Sequence, residues 1–150
     1  MSCLFAVILL PAVTVVDAGE WSVGPVASGA VPLGSGDAAP VEGRFGGMAR
    51  FGIGDWLAVD GRVLATVSDR TAGGVGSIGV AAAWDVLAWV PELRLAVGGR
   101  LSSDWLRLLG DVGVRRYLSL DSALLLALGG EWIGNGHWQV VLSVGILWRL

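Results

Sequence analysis

From Trp21 onward, charged or small residues alternate with aliphatic or aromatic ones at a period of two. That spacing sends successive side chains to opposite faces of a β-strand. The segment Val41 to Ile53 shows it most clearly. Glu42, Arg44, Gly46, Met48, Arg50 and Gly52 form one face, while Val41, Phe45, Ala49, Phe51 and Ile53 form the other, with Gly43 and Gly47 between them. In Trp56 to Val67 the polar face carries Ala58, Asp60, Arg62 and Thr66, and Leu64 is the lone violation. Gly76 to Leu87 sets Ser77, Gly79, Ala81 and Asp85 against Ile78, Val80, Trp84 and Val86. Glu92 to Leu101 carries Glu92, Arg94, Gly98 and Arg100 on its polar face, and Leu106 to Leu118 carries Arg107, Asp111, Gly113, Arg115 and Tyr117. Ala123 to Ile133 and Trp138 to Leu150 keep the parity through Glu131, Gln139, Ser143 and Arg149. With Trp21 to Val31 as the first, eight strands are predicted. Asp121 to Leu128 and Ala81 to Trp89 have local helical character, since Ala and Leu favour helix, but their spacing fits their neighbours and they are read as strands.

The connections alternate in character. Gly54-Asp55, Ala88 to Pro91 and Ser119 to Ser122 are read as tight turns at one end, and Leu33 to Pro40, Ser68 to Gly74, Ser102 to Asp104 and Gly134 to Gly136 as loops at the other. An even number of strands then puts both termini at the same end. Loops this short leave little room for a receptor or adhesin surface.

Composition decides what kind of β-protein this is. The chain is 54% hydrophobic and 15% charged with a mean hydropathy of +0.69. A helical membrane protein of that character would carry apolar runs of about twenty residues. Beyond the N-terminal sixteen the longest charge-free stretch is Trp132 to Trp148, which contains three Gly, an Asn, a His and a Gln. Spreading apolar residues over alternate positions is the other way to be this hydrophobic, and it is how a membrane β-barrel is built. The N-terminus fits secretion: Leu4 to Val16 is an apolar run, and Val16 and Ala18 suit cleavage after Ala18, giving a signal peptide over 1–18 and a barrel over 19–150.

Parity alone does not separate a membrane barrel from a soluble lipocalin-like one, because only the direction of the faces differs. Two features favour the membrane. The polar set is diluted by Gly and Ala, a meagre coat for a solvated exterior. Trp21, Trp84, Trp132, Trp138 and Trp148 lie on the apolar parity near strand ends, where an interfacial aromatic girdle belongs. Trp56 and Trp105 fall on the polar parity and are not counted. Arg116 points to lipid by parity. An Arg there costs about 2–4 kcal/mol at the midplane but about 0–1 near the interface, so it is expected at the rim beside Ser119 to Ser122. The inward set then holds Arg44, Arg50, Arg62, Arg94, Arg100, Arg107 and Arg115 against Glu42, Asp60, Asp85, Glu92, Asp111 and Glu131. Seven cations and six anions in so narrow a lumen are expected to pair and plug it; a narrow pore lined by the same charges is the alternative.

These residues resemble a known family, the small eight-stranded outer-membrane β-barrels of Gram-negative bacteria typified by the transmembrane domain of outer-membrane protein A. Leu142, Val144, Ile146, Trp148 and Leu150, apolar at every second position from the end, look like that family's C-terminal assembly signal, although the chain ends in Leu150 rather than Phe or Trp. Phe51 to Leu57 and Trp84 to Leu87 followed by Val90 to Leu93 resemble tight-turn segments of such barrels. The resemblance implies an all-β, eight-stranded antiparallel up-and-down transmembrane barrel, inserted by the outer-membrane barrel-assembly machinery and contacting lipid and lipopolysaccharide. A monomer is expected.

The remaining chemistry is sparse. Ten basic residues, all Arg, against thirteen acidic ones give a net charge of −3 without a basic stripe, so a nucleic-acid partner has no electrostatic support. One cysteine, Cys3, and one histidine, His137, leave no metal cluster, and no dinucleotide or phosphate loop asks for a cofactor. Glu131, His137 and Ser143 fall near one another on the final hairpin, but a His followed two residues later by a Ser, the pattern of lipid A deacylases, is absent. The expectation is a non-enzymatic outer-membrane barrel with a structural or envelope-maintenance role, with a narrow channel or a soluble periplasmic lipid-binding barrel as alternatives.

Overall fold

A computed structural model of the chain describes residues 18–33, 41–69, 72–84, 89–101, 103–134 and 136–150. Eight antiparallel strands, β1 (Trp21–Leu33), β2 (Glu42–Gly52), β3 (Leu57–Val67), β4 (Ala72–Ala83), β5 (Trp89–Arg100), β6 (Ser103–Tyr117), β7 (Ser122–Ile133) and β8 (His137–Arg149), close into a barrel in sequence order. The chain is thus an all-β, up-and-down eight-stranded barrel. Residues 1–17 of the expected 1–18 signal peptide and the candidate anion Asp85 lie outside the described residues.

The register fixes the barrel's geometry. Following cross-strand partners from Ser22 through Arg50, Asp60, Gly79, Ala96, Leu109, Glu131 and Gln139 returns to β1 at Pro32, ten residues from the start. A stagger of ten over eight strands requires a tilt of about 41° and a backbone radius of about 8 Å. A wall this tightly curved crowds its concave side, and the glycines record it. A Cβ on inward-facing Gly24, Gly46, Gly79, Gly98 or Gly129 would lie within 2.5 Å of a neighbouring carbonyl oxygen, whereas one on outward-facing Gly43, Gly47 or Gly61 would meet nothing closer than 3.8 Å.

Several boundaries differ from the sequence reading. Ala72 to Gly74 belong to β4 rather than to a loop, continuing the pairing from Val67↔Ala72. Trp89 to Pro91 belong to β5 rather than to a turn. The β4–β5 ladder ends at Ala83↔Glu92, so Pro91 stands just beyond it; its carbonyl still accepts Trp84 N–H at 3.0 Å, and its missing N–H forfeits only the return bond of that last pair. Ser103 likewise opens β6. The segment Ser122 to Leu128, for all its Ala and Leu, is strand.

The faces are those of an inverted protein. Inward positions are buried and largely polar: Glu42, Arg44, Arg50, Asp60, Arg62, Glu92, Arg94, Arg107, Arg115 and Glu131 are all less than a tenth exposed. Outward positions are bare and apolar, with Val63, Val112 and Leu142 each more than three-fifths exposed. The direction is opposite to that of a soluble barrel, whose apolar set faces in. Leu64, the parity violation, packs inward with Val26, Met48, Leu125 and Leu147 as an apolar patch inside the wall.

Candidate functional site: the charged lumen and the aromatic rims

Inward charges form two networks. Towards the end opposite the termini, Arg44 Nη2 donates to Glu42 at 2.8 Å, to Glu131 at 2.6 Å and to the Gln139 side-chain oxygen at 3.0 Å. Arg107 Nη1 donates to the other Glu131 oxygen at 3.0 Å, and Arg100 caps Glu42 from β5. Towards the terminal end, Arg50 grips both oxygens of Glu92 at 2.9 and 3.1 Å and reaches Asp60 at 3.4 Å. Arg94 Nε bonds both Asp60 oxygens at 2.7 and 2.9 Å, and its other nitrogens reach Asp111 at 3.3 Å and Ser77 at 3.2 Å. Arg62 and Arg115 are held more loosely, 3.9 Å from Asp111 and 3.6 Å from Glu92. A guanidinium presents five N–H groups in a planar fork, so one Arg can bridge several carboxylates where a Lys offers a single point of charge.

The sequence could not say which charges meet, because the partners come from distant strands. Arg94 on β5 reaches Asp60 on β3 across β4, where Gly79 and Ala81 occupy the intervening inward positions. Arg44 on β2 reaches Gln139 on β8 across β1, past Ser28 and Ala30. Among the described residues the lumen contains seven of these arginines and five carboxylates, since Asp85 is outside them. Arg62 Nε and Nη2, Arg115 Nε and Nη2, Arg50 Nε and Asp111 Oδ1 accept or donate no hydrogen bond within the protein.

Small cavities stand beside the networks. A cavity of about 20 Å³ lies beside Arg62, Ser77, Asp111 and Ser143, and one of about 30 Å³ at the terminal-end mouth beside Arg50, Arg115 and Arg149. Each has room for about one water. Met48 stands between Arg44 and Arg50 on β2 and joins the apolar patch, so charge does not run unbroken along the wall.

On the outside, Trp21, Trp84, Trp138 and Trp148 are about half exposed, Trp132 less so. Trp21 meets Phe51 across the β1–β2 pair with ring centroids 5.0 Å apart. Trp89, read as a turn residue, is a rim aromatic as well. It pairs with Arg116 in register, and the Arg116 guanidinium lies 5.0 Å from its ring centroid. The outward Arg thus sits at the rim, two residues before the 118–121 turn. Trp138 and Trp148 are ten residues apart on one strand. At about 3.3 Å per residue and the tilt above, they stand about 25 Å apart along the barrel axis, the height of the apolar band on outer-membrane barrels. Leu142, Val144, Ile146, Trp148 and Leu150 share that outward face.

No catalytic constellation forms from the final hairpin. Both Glu131 oxygens are taken by Arg44 and Arg107. His137 and Ser143 are six residues apart on β8, hence about 20 Å along the strand.

No protein-family model matches the chain, and no curated protein matches it in sequence. Solved structures match its fold. A de novo designed transmembrane β-barrel aligns with a TM-score of 0.66 at 16% identity over 89% of this chain and 98% of that one. The N-terminal β-barrel domain of Pseudomonas aeruginosa OprF aligns at 0.62 and 16% identity over 87% and 99%. Neisserial surface protein A aligns at 0.56 and 18% identity over 87% and 97%. The fold is that of the small eight-stranded outer-membrane barrels.

Proposed function

We propose that the chain is a non-enzymatic integral barrel of the Gram-negative outer membrane, inserted by the barrel-assembly machinery, with its terminal end in the periplasm and its lumen closed by paired charges. Its role is structural, a lipid- and lipopolysaccharide-contacting component that helps maintain the envelope. The observation that carries this reading is the lining of the lumen: buried guanidinium–carboxylate networks and an apolar patch face inward, beneath an apolar exterior with aromatic rims about 25 Å apart. Connections of four, five and four residues at the terminal end, and short ones at the other apart from 34–41, leave little extramembrane surface for a soluble partner.

Two measurements test it together. Outer membranes from cells expressing the chain are compared on gels before and after boiling, and purified barrel is recorded in planar bilayers. The reading expects a band that shifts on boiling and no stepwise conductance. Reproducible steps that change when Arg62 is neutralised would favour the second reading, a narrow channel, which draws on the loose Arg62–Asp111 pair and its neighbouring cavity. A protein recovered in the soluble periplasmic fraction would defeat both.

A further inference from the structure

Charge is scarce on the outer wall. On β6 from Leu106 onward, and on the outward faces of its neighbours β5 and β7, Arg116 is the one charged side chain among the described residues. It is exposed and stands one residue from the end of its strand, with Leu124 beside it on β7. On its other side is Trp89, the first residue of β5, 45% exposed and 5.0 Å from the guanidinium carbon at its ring centroid. The apolar surface continues past Arg116 through Leu118 and Leu120, both more than half exposed, so the cation lies within the edge of the apolar band and not beyond it. An indole attracts a cation with its ring face but brings no negative charge. Among the described residues Arg116 makes no ion pair, whereas Arg149 at the same end is held by Glu20 at 2.6 Å. The N–H groups in the plane of the Arg116 fork therefore suit an anion that offers two oxygens. Both residues stand at the rim, where a bilayer carries its headgroups.

We propose that Arg116 and Trp89 form a binding site for the phosphodiester of a glycerophospholipid, the guanidinium holding two phosphate oxygens and the indole backing the guanidinium. A cation at the edge of an apolar band is costly alone and much less so beside a phosphate. A dissolved anion must leave water to reach it, whereas a lipid is held at that depth by its own acyl chains, which the apolar wall around Leu124 and Leu126 receives. The inference rests on the reading that the outward face meets lipid. If that reading fails, the protein is found in the soluble fraction and its gel mobility does not change on boiling; the titration below can fail while the barrel stays in the membrane.

The full chain, ¹⁵N-labelled and refolded into micelles of a phosphate-free maltoside detergent, is titrated with dihexanoyl phosphatidylglycerol. The Trp89 indole N–H resonance, assigned by its loss in W89F, is followed. Dihexanoylglycerol, which lacks the phosphate, and inorganic phosphate at constant ionic strength are the comparison probes. The expected result is a saturable shift with the phospholipid alone, with an apparent affinity about tenfold weaker in R116Q, the loss of a charge-assisted contact, and an intermediate one in R116K, which keeps the charge but not the fork. The response should be retained in R149Q and in D85N, with every variant verified as folded by its gel shift on boiling. An equal response to dihexanoylglycerol would mean acyl contact only, and an equal response to inorganic phosphate a general anion site; either overturns the proposal. So does the absence of a saturable shift in the unaltered protein, an undiminished response in R116Q, or a response seen only in D85N, which would mean that Asp85 already holds the fork. Because the three probes are compared on the unaltered protein, a variant that fails to fold does not remove the test.

Discussion

Replacing Asp60 by Asn separates a dry lumen from a wet one. The Asp60 carboxylate is wholly buried and accepts Arg94 Nε through both oxygens, at 2.7 and 2.9 Å, and Arg50 Nη2 at 3.4 Å. Asn preserves the shape but removes the charge. Among the described residues the terminal-end network then falls from three carboxylates against four guanidiniums to two against four, and Arg94 is left with Asp111 at 3.3 Å and Ser77 at 3.2 Å. Removing one partner of a buried ion pair costs about 3–5 kcal/mol because the other charge stays buried. Arg94 and Arg50 each retain another acid, so the lower end, about 3 kcal/mol, is expected. The assay is urea unfolding of the barrel inserted in lipid vesicles, followed by tryptophan emission and by gel mobility, on D60N, R94Q and the double variant. The double variant should cost about 2 kcal/mol less than the sum of the two single variants, the coupling energy between the sites. A D60N cost below about 0.5 kcal/mol with no coupling would mean that water already solvates these charges. The closed lumen would then be wrong, and ion conduction should be sought at once.

Three further outcomes follow from the same structure. Gly46→Ala places a Cβ 2.1 Å from the Val63 carbonyl oxygen and should cut the folded fraction sharply on unboiled gels, whereas Gly61→Ala, with nothing nearer than 3.9 Å, should leave it unchanged. Val112→Arg, at an outward position 65% exposed in the middle reach of β6, should lower stability in vesicles by about 2–4 kcal/mol if that face meets lipid; an unchanged value would place the face in water. Folding yield should peak in bilayers whose hydrocarbon core is about 25 Å thick and fall in thicker ones, as read by the gel shift across a series of acyl-chain lengths.

How much of this was legible beforehand depended on whether the information was local. Strand number and the direction of each face are local, because parity needs only neighbouring residues, and β2 displays it in full through Glu42, Arg44 and Arg50 against Phe45, Ala49 and Phe51. Gly and Pro misled at β4 and β5. Ala72 to Gly74 looked like a loop because glycine marks loops in most proteins, yet here the chain simply continues as strand. Pro91 looked like a turn because a central strand needs every N–H, yet it sits one residue past the end of the β4–β5 ladder. That misreading also hid Trp89 from the aromatic rim and Arg116 from its ring. The pairing of charges was out of reach for a different reason: it depends on the barrel's stagger of ten, which brings together residues such as Arg44 and Gln139 only once the wall has closed.

The stagger also explains why the charge networks and the small residues occupy alternate parts of the wall. At a radius of about 8 Å an arginine side chain spans most of the distance to the axis, and seven of them pointing inward from every strand would collide. Here β1 and β4 contribute no inward charge among their described residues: β1 offers Ser22, Gly24, Val26, Ser28 and Ala30, and β4 offers Val75, Ser77, Gly79, Ala81 and Ala83. Each of these two strands is a gap over which its flanking strands join, β2 to β8 across β1 and β3 to β5 across β4. The same small residues therefore do two jobs, allowing the backbone to curve where a Cβ would strike a carbonyl and clearing the volume that guanidiniums then fill. A bulky residue at Gly79 or Ala81 should for that reason disturb more than local packing. It would separate Arg94 from Asp60 and leave each with only its weaker partner, Asp111 and Arg50, so its penalty should add to that of simple overpacking, about 1–3 kcal/mol.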